Sequence, residues 1–363
     1  MTFDEHNLAQ SIELHDRFAA AVAQELTTAD TPGAAVALLL DGQPVFQSGV
    51  GFRDREQTTA LDGDAQFYIY SVTKTLIATV ILQLAEQGQI ALDAPVQTYL
   101  PQIALETPVT IRQILNHTAG IPDYGGLAAY FEALRADPLH AWTAAEFLDR
   151  TLPQGLRFPP EQGWAYSNIG FLVLRQVIET ITQMPIRQAF HARLFAPLDL
   201  RHTFVPPSLA DAQPLTPGYS SFFQADGTLE DIRSLYDPGW VSHGVVISTA
   251  AELARLIDAI LTGTLLNPQS RAAMLTPVLV PHQHPLFQQP AYGLGLMIDP
   301  QSVYGVMAGH GGGGPGYSAG ALHVPSAHGH TITSVALANR DQPDRGLRIA
   351  FTLIARLAET LSQ

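Results

Sequence analysis

The stretch from Ser71 to Leu82 constrains the fold more than any other, because a long apolar run follows directly on polar residues. The run Thr75 to Leu82 is apolar on nearly all sides, which is typical of a helix in a protein core. Gly88 provides a stop shortly afterwards. The sequence therefore predicts a buried helix around which the rest of the chain packs.

Lys74, at the start of that run, is the only lysine, and every other residue in the Lys+Arg total of 19 is arginine. Arginine stays charged at any ordinary pH, whereas burial and the positive end of a helix dipole lower the pKa of a lysine. Ser71 stands three residues earlier, so in a helix both side chains share one face. A chance pairing is the alternative, but burying a lysine without a function is costly. We therefore predict a nucleophile, Ser71, beside its base, Lys74.

Length and composition limit the classes of protein that need consideration. A chain of 363 residues with 46% hydrophobic and 14% charged residues suits two lobes, or one large α/β core with an insertion. The formal net charge of −14 argues against binding to nucleic acid or to anionic membranes. The absence of cysteine excludes disulfides, thiolate metal sites and a cysteine nucleophile.

The sequence shows no targeting segment. Asp4 and Glu5 stand where a signal peptide would be basic, and no stretch approaches eighteen uninterrupted apolar residues. We expect no membrane span and a cytoplasmic location for the sequence as it stands, or a periplasmic or secreted one if a leader was removed. The oligomeric state stays open.

Strand patterns occur near both ends of the chain. Two apolar runs, 34–40 and 44–51, meet at Asp41-Gly42, which is a strong hairpin signal. Further strands are predicted at 292–298, 303–308, 318–324 and 331–338, and helices at 8–25, 111–115, 171–181, 250–261 and 347–361. We therefore expect an α/β sandwich, a mainly antiparallel sheet flanked by helices, with an all-helical insertion. Residues 1–70 and 290–363 would form the sheet domain and 71–289 the mostly helical region, with the active site at their junction.

Two later stretches could contribute to the same site. Tyr166-Ser167-Asn168 precedes a predicted helix; the tyrosine alone is more often a core aromatic, but beside a Ser/Lys pair its phenol can share a proton with the amine. The Asn168 carbonyl could accept from that amine while its NH2 group holds a substrate carbonyl. The run His310 to Gly316 contains five glycines, which allow another backbone to approach closely. It forms either a wide turn or a bare sheet edge along which a substrate lies.

Three other patterns are judged misleading. Ser318 lies in a G-x-S-x-G sequence, but a strand rather than the required helix is predicted after it. Gly309, Gly311 and Gly314 fit G-x-G-x-x-G, yet no helix opens there. The H-x-H pairs at 282/284 and 328/330 lack partners at zinc spacing, so we expect no metal and no cofactor.

The order S-x-x-K, Y-x-N and H-x-G resembles the serine β-lactamase and penicillin-binding-protein superfamily. The tyrosine in the second motif resembles the class C branch, with D-alanyl-D-alanine carboxypeptidases, D-aminopeptidases and family VIII esterases. The resemblance extends from Pro32 to about Asn339 and includes the segments 115–122 and 292–295. It implies a β-lactamase/transpeptidase-like fold.

The resemblance also implies roles. Ser71 would be acylated, Lys74 and Tyr166 would form the base system, and either could take the first proton. Asn168, His310 and Gly312 would orient the substrate, and the N–H groups of Ser71 and Gly313 would form an oxyanion hole. Asn339 matches a position that helps to bind the substrate carboxylate in class C enzymes.

One residue departs from the class C pattern, because His310 stands where those β-lactamases have lysine. A histidine is only partly charged near neutral pH, so we expect a carboxylate anchor that weakens above about pH 6.5. The sequence therefore favours a serine hydrolase of esters or D-configured peptides or amides. A class C-type β-lactamase is the alternative, and a non-catalytic penicillin-binding or cell-wall-fragment-binding protein is a remote one. The expected partner is a small molecule or a short peptide.

Overall fold

The computed structural model describes residues 5–212 and 215–362, with side chains described from residue 12 onwards. Its helices are α1 (Glu5–Thr27), α2 (Thr73–Glu86), α3 (Ile111–Leu115), α4 (Ala128–Ala136), α5 (Ala144–Thr151), α6 (Asn168–Thr182), α7 (Ile186–Phe190), α8 (Ala250–Thr262), α9 (Pro268–Met274) and α10 (Arg345–Leu361). Its strands are β1 (Gly33–Leu40), β2 (Gln43–Gly51), β3 (Phe67–Tyr68), β4 (Tyr219–Ser220), β5 (Glu230–Asp231), β6 (Ile247–Ser248), β7 (Val278–Leu279), β8 (Ala291–Tyr292), β9 (Met297–Ser302), β10 (Gly305–Gly314), β11 (Tyr317–Ala327) and β12 (His330–Ala338). The predicted helices are all present. Residues 1–4, part of the stretch in which a signal peptide would lie, are outside the described residues.

An eight-stranded antiparallel sheet joins the two ends of the chain in the order β2-β1-β12-β11-β10-β9-β8-β7. The predicted hairpin between β1 and β2 is confirmed, and Asp41 and Gly42 have φ of 49° and 74°. A two-residue turn that follows the twist of its strands needs positive φ at both positions. The terminal segments therefore pair as the strand patterns predict.

The strand predicted over 292–298 is divided in two. Gly295, with φ of 73°, turns the chain between β8 and β9 so that its carbonyl accepts a hydrogen bond of 2.8 Å from the Thr75 hydroxyl. A Cβ on Gly295 would lie 2.4 Å from Cβ of Ala78, so only glycine allows this turn to pack on α2. The interruption fixes the edge of the sheet against the central helix.

Both faces of the sheet are covered, which explains why β1 is apolar throughout rather than alternating. Ala34, Val36 and Leu38 pack into a core with α1 and α10, whereas Ala35 and Leu39 belong to the core on the opposite face. The expected fold class, an α/β sandwich with a large helical region, is confirmed.

Helix α8 packs on the sheet although it belongs to the segment predicted to be mostly helical. It lies within 71–289 in sequence, yet it packs against β1, β11 and β12 of the sheet. Thr249 begins it, accepting a hydrogen bond from the N–H of Glu252. Helix α8 is therefore part of the layer that covers the sheet, and the division into 1–70 with 290–363 and 71–289 stays a prediction.

Helix α2 lies in the middle of the molecule, as predicted. Every residue from Thr73 to Leu82 is buried, and the helix contacts α6 and α7. Within 5–212 and 215–362, no helix has the length and apolar character needed to cross a membrane. The central position of α2 places its first turn, with Lys74, between the sheet and the helical region.

Candidate active site

The candidate nucleophile lies in a tight turn that leads into α2. Ser71 is the middle residue of a 3₁₀ turn, Tyr70–Val72, and is half-buried. Tyr70 has φ of 44°, which is rare for a bulky residue, and its hydroxyl donates to the carbonyl of Pro315. Strained backbone of this kind is concentrated at functional sites, where the surroundings hold it in place. The turn thus presents Ser71 beside strand β10.

Lys74 is fully buried and has three polar neighbours. Its Nζ lies 3.1 Å from Oγ of Ser71, 2.7 Å from Oδ1 of Asn168 and 3.2 Å from Nε2 of His243. Burial lowers the pKa of the Lys74 amine well below its ordinary value, and the charge of Asp123 only partly opposes this. Burial therefore favours the neutral amine, whose lone pair can accept a proton. The structure brings Ser71 and Lys74 together as the sequence predicts.

Asn168 begins α6 and is held in one orientation by Asp123. The backbone N–H of Asn168 donates to Oδ1 of Asp123 at 2.7 Å, and its Nδ2 donates to Oδ2 at 3.1 Å. The carboxamide oxygen therefore points to Lys74. Ser167 caps the helix by accepting from the N–H of Gly170. One of the two Nδ2 hydrogens of Asn168 is not used by Asp123.

Tyr166 completes this side of the site. Nζ of Lys74 lies 4.8 Å from the centre of the Tyr166 ring, and the ring packs on His117 at 4.5 Å. Burial raises the pKa of the Tyr166 phenol above its ordinary value, and the Ser71 hydroxyl partly opposes the rise. Tyr166 therefore holds its proton at neutral pH.

His310 lines the same cleft, but the expectation that it is partly charged near neutral pH is wrong. The side chain is buried, its Nδ1 donates to the carbonyl of Gly311 at 2.5 Å, and its Nε2 accepts from the Tyr292 hydroxyl at 2.8 Å. Burial is the largest cause that lowers the pKa of His310, to about 3. The imidazole is neutral at working pH, so His310 cannot act as a carboxylate anchor that titrates near pH 6.5.

The glycine run lies in the second half of β10 and forms an open strand edge. A Cβ on Gly312 would lie 2.2 Å from the carbonyl oxygen of Ile69, so glycine allows the strand to reach the nucleophile turn. Strand β9 pairs with β10 only as far as Gly309, whereas Gly311 still directs its N–H to that side, towards Met297. In a strand, the backbone N–H groups of residues two positions apart point to the same side. The N–H of the exposed Gly313 therefore points, like that of Gly311, to the side on which β10 has no partner strand.

Asn339 is not part of the cleft, which corrects the role implied by the resemblance. It is fully buried, its Oδ1 accepts from the N–H of Gly33, and its Nδ2 donates to the carbonyls of Phe52 and Arg53. Its hydrogen-bonding groups tie the end of β12 to the β1–β2 hairpin. Asn339 is therefore a structural residue.

The G-x-S-x-G serine is also structural, as predicted. Ser318 is buried in β11, pairs with Ala338 across the sheet, and accepts a hydrogen bond of 2.9 Å from the N–H of Gly346. Within 5–212 and 215–362 the structure gathers no group of three or more His, Cys, Asp or Glu suited to a metal ion.

The cleft over Ser71 has a volume of about 590 Å³. One wall is apolar, the other is the glycine run of β10, and the charged side chains that line it are acidic. The apolar wall consists of Tyr130, Phe131, Leu134 and Phe222, and the acidic residues are Asp341 and Asp344. A larger cavity, about 1320 Å³, is formed by residues 102–107, 145, 148–149, 152–159 and 176 and contains none of the candidate catalytic groups. The chemistry therefore belongs to the smaller cleft.

Four residues at the site were missed by sequence reasoning. They lie on separate loops and a short strand, and only folding brings them into contact with the candidate catalytic and substrate-orienting groups. These residues are His117, Asp123, His243 and Tyr292. His117 and Tyr292 lie within the segments 115–122 and 292–295 that carry the family resemblance, which is the signal that could have marked them. No spacing rule relates Asp123 or His243 to Lys74.

Comparison with known proteins agrees with this geometry. A family model described as Beta-lactamase matches residues 18–359. "Penicillin-binding protein 4*" of Bacillus subtilis (strain 168) is 26% identical over 312 residues, 83% of this chain and 66% of that protein. "Esterase EstB" of Burkholderia gladioli is 32% identical over 180 residues, 47% of this chain and 46% of that protein. The solved structure of a D-stereospecific amidohydrolase from Streptomyces sp. superposes with a TM-score of 0.77 at 30% identity, covering 92% of this chain and 98% of that one. The chain thus spans about two thirds or less of these two curated relatives.

Proposed function

The chain belongs to the β-lactamase family, and we propose that it is a serine hydrolase that forms an acyl-enzyme on Ser71 and cleaves esters or D-configured amides. One observation carries the proposal: the buried Lys74 amine, whose pKa burial lowers, lies 3.1 Å from the Ser71 hydroxyl. That distance allows direct proton transfer to the base.

Acylation begins with transfer of the Ser71 proton to Nζ of Lys74 while Oγ attacks the substrate carbonyl. We assign Lys74 rather than Tyr166 as the first base, because burial lowers the pKa of the amine whereas it raises the pKa of the phenol. Negative charge then develops on the carbonyl oxygen, and the N–H groups of Ser71 and Gly313 would stabilise it at the open edge of β10.

Collapse of the tetrahedral intermediate breaks the bond to the leaving group. Tyr166 would donate its proton to the departing alkoxide or amine and regain one from the Lys74 ammonium. Hydrolysis of the ester on Ser71 would reverse these steps, with water taking the place of the leaving group. The Nδ2 hydrogen of Asn168 that is not bonded to Asp123 would donate a hydrogen bond to a substrate carbonyl.

The cleft supports neutral or cationic substrates over anionic ones. Among its described lining residues, the charged side chains are Asp341 and Asp344, and Lys74 beneath them is neutral. A β-lactam carboxylate would therefore meet like charge, which weakens binding. The aromatic wall would accept an apolar acyl group or side chain. The D configuration is suggested by the structurally similar D-stereospecific amidohydrolase.

The test is a set of turnover measurements on one preparation. We expect measurable kcat/KM for p-nitrophenyl butyrate and for D-alanine p-nitroanilide, lower values for the L isomer, and the lowest for nitrocefin. Ser71→Ala should abolish all of them. Faster turnover of nitrocefin than of the ester, or activity that survives Ser71→Ala, would refute the proposal.

A further inference from the structure

His243 contacts Lys74, the proposed base, and packing alone does not explain a histidine at this position. It lies in the loop between Trp240 and β6, is buried, and places Nε2 at 3.2 Å from Nζ of Lys74. Its Nδ1 is buried with no hydrogen-bond partner among the described residues. An apolar residue of similar size would fill the same space without leaving a buried polar atom unpaired.

The number of hydrogen-bond donors and acceptors on the Lys74 amine indicates a role for His243. A neutral amine has two N–H groups and one lone pair, and Nζ has three polar neighbours. The carboxamide oxygen of Asn168 can only accept, so it takes one N–H. If Nε2 of His243 accepts the other, the lone pair is left pointing at Ser71. Without that second acceptor, the amine can rotate and direct an N–H, rather than its lone pair, at the serine oxygen.

We propose that His243 is a positioning residue that accepts a hydrogen bond from Lys74 and thereby holds the amine lone pair on the Ser71 proton. After proton transfer, the Lys74 ammonium carries three N–H groups, and His243 and Asn168 still accept two of them. His243 exchanges no proton in this step: the proton leaves Oγ and binds Nζ, where it remains until Tyr166 regains a proton from the ammonium. The inference rests on the proposed acyl-enzyme function and adds a specific role within it.

The charged and titratable groups around this pair are consistent with a neutral His243. Burial lowers the pKa of His243 well below its ordinary value, and the positive charge of Arg175 acts in the same direction. His117 is likewise neutral, because burial lowers its pKa. Asp123 favours the ammonium form of Lys74, and the nearby Tyr166 phenol keeps its proton. A neutral imidazole that accepts at Nε2 carries its proton on Nδ1.

The kinetic test compares His243→Leu, His243→Gln and a matched control, His323→Leu. His323 is also buried and bonded to one hydroxyl, that of Thr333, but it lies in β11 outside the cleft. With p-nitrophenyl butyrate, His243→Leu should lower kcat at least about 10-fold and change KM less than about 2-fold. The acidic limb of the kcat pH profile should move to lower pH. The reason is that the ammonium form of Lys74 has lost a hydrogen-bond acceptor, which lowers the pKa of the amine.

The other variants separate positioning from packing. His243→Gln keeps an acceptor oxygen and should recover part of the lost kcat, whereas His323→Leu should change neither kcat nor the acidic limb. A His243→Leu enzyme with an unchanged limb and kcat within 3-fold of the parent would overturn the proposal. Labelling of Ser71 by a fluorophosphonate in the parent protein distinguishes this outcome from failure of the acyl-enzyme function itself.

A second measurement needs no stable leucine variant. In protein labelled with ¹⁵N-histidine, the imidazole signals of His243 can be assigned by their loss in the His243→Gln protein. We expect the tautomer with the proton on Nδ1 and a bare Nε2. A proton on Nε2 would make His243 a donor to the lone pair, which would overturn the proposal.

Discussion

The neutral state of Lys74 has a consequence for stability that can be measured without any substrate. In the unfolded chain a lysine has a pKa of about 10.4, so it binds a proton at neutral pH. In the folded protein burial lowers the pKa of Lys74 well below that value. Folding therefore releases a proton from Lys74, and this group makes folding more favourable as pH rises towards the unfolded value.

The perturbation is Lys74→Met, which keeps a similar chain length and removes the titratable amine. As long as the folded amine is neutral, the free energy of unfolding of the parent relative to the variant should rise by ~1.4 kcal/mol per pH unit. Between pH 7 and pH 9 the relative gain is then about 2.7 kcal/mol. Neighbouring His117, His243 and His310 contribute little to this slope between pH 7 and pH 9, because an unfolded histidine with a pKa of about 6.5 is already largely deprotonated there and burial lowers the pKa of each in the folded protein.

The assay is urea unfolding followed by far-UV circular dichroism at matched pH values. Ser71→Ala is the control, because it changes the same site but retains Lys74 and should show the slope of the parent protein. If the difference in free energy of unfolding between the parent protein and Lys74→Met does not change with pH, Lys74 is charged in the folded protein. That result would remove the basis for Lys74 as the proton acceptor.

Three further outcomes follow from the same structure. Lys74→Arg should lower kcat/KM for p-nitrophenyl butyrate by about 100-fold or more, because guanidinium cannot accept the serine proton; near-parental turnover would contradict this. Asn339→Ala should lower the free energy of unfolding by about 2–3 kcal/mol through its lost hydrogen bonds and leave KM unchanged, so a large rise in KM with normal stability would restore it to the substrate site. Because His310 is neutral, the ratio of kcat/KM for nitrocefin to that for p-nitrophenyl butyrate should be constant between pH 5.5 and 8, and a ratio that falls with pH would mean that His310 is charged.

Features set by local sequence were predictable. The i, i+3 spacing of Ser71 and Lys74 in a helical start brings their side chains together wherever the helix lies. The Asp41-Gly42 turn and the apolar run of α2 likewise depend on neighbouring residues alone. These elements follow from backbone conformation and periodicity, so the structure reproduces them.

Features set by packing between distant segments were not predictable. The charge of His310 depends on its burial in β10 beneath the helical region, which no local pattern reports. His243 contacts Lys74 across 169 positions of sequence. Asn339 matches a family position but uses its side chain to close the sheet, because it lies at the buried end of β12. In each case the role is determined by which segments surround the side chain.

The most direct test of the central claim is to identify the residue that is acylated. The protein, Ser71→Ala and Ser318→Ala are each incubated with a fluorophosphonate probe, and the adduct is measured by intact mass and located by peptide mapping. We predict one adduct per chain on the peptide that contains Ser71, absent from Ser71→Ala and retained in Ser318→Ala. An adduct on Ser318, or one that persists in Ser71→Ala, would contradict the assignment of Ser71 as nucleophile and Lys74 as its base.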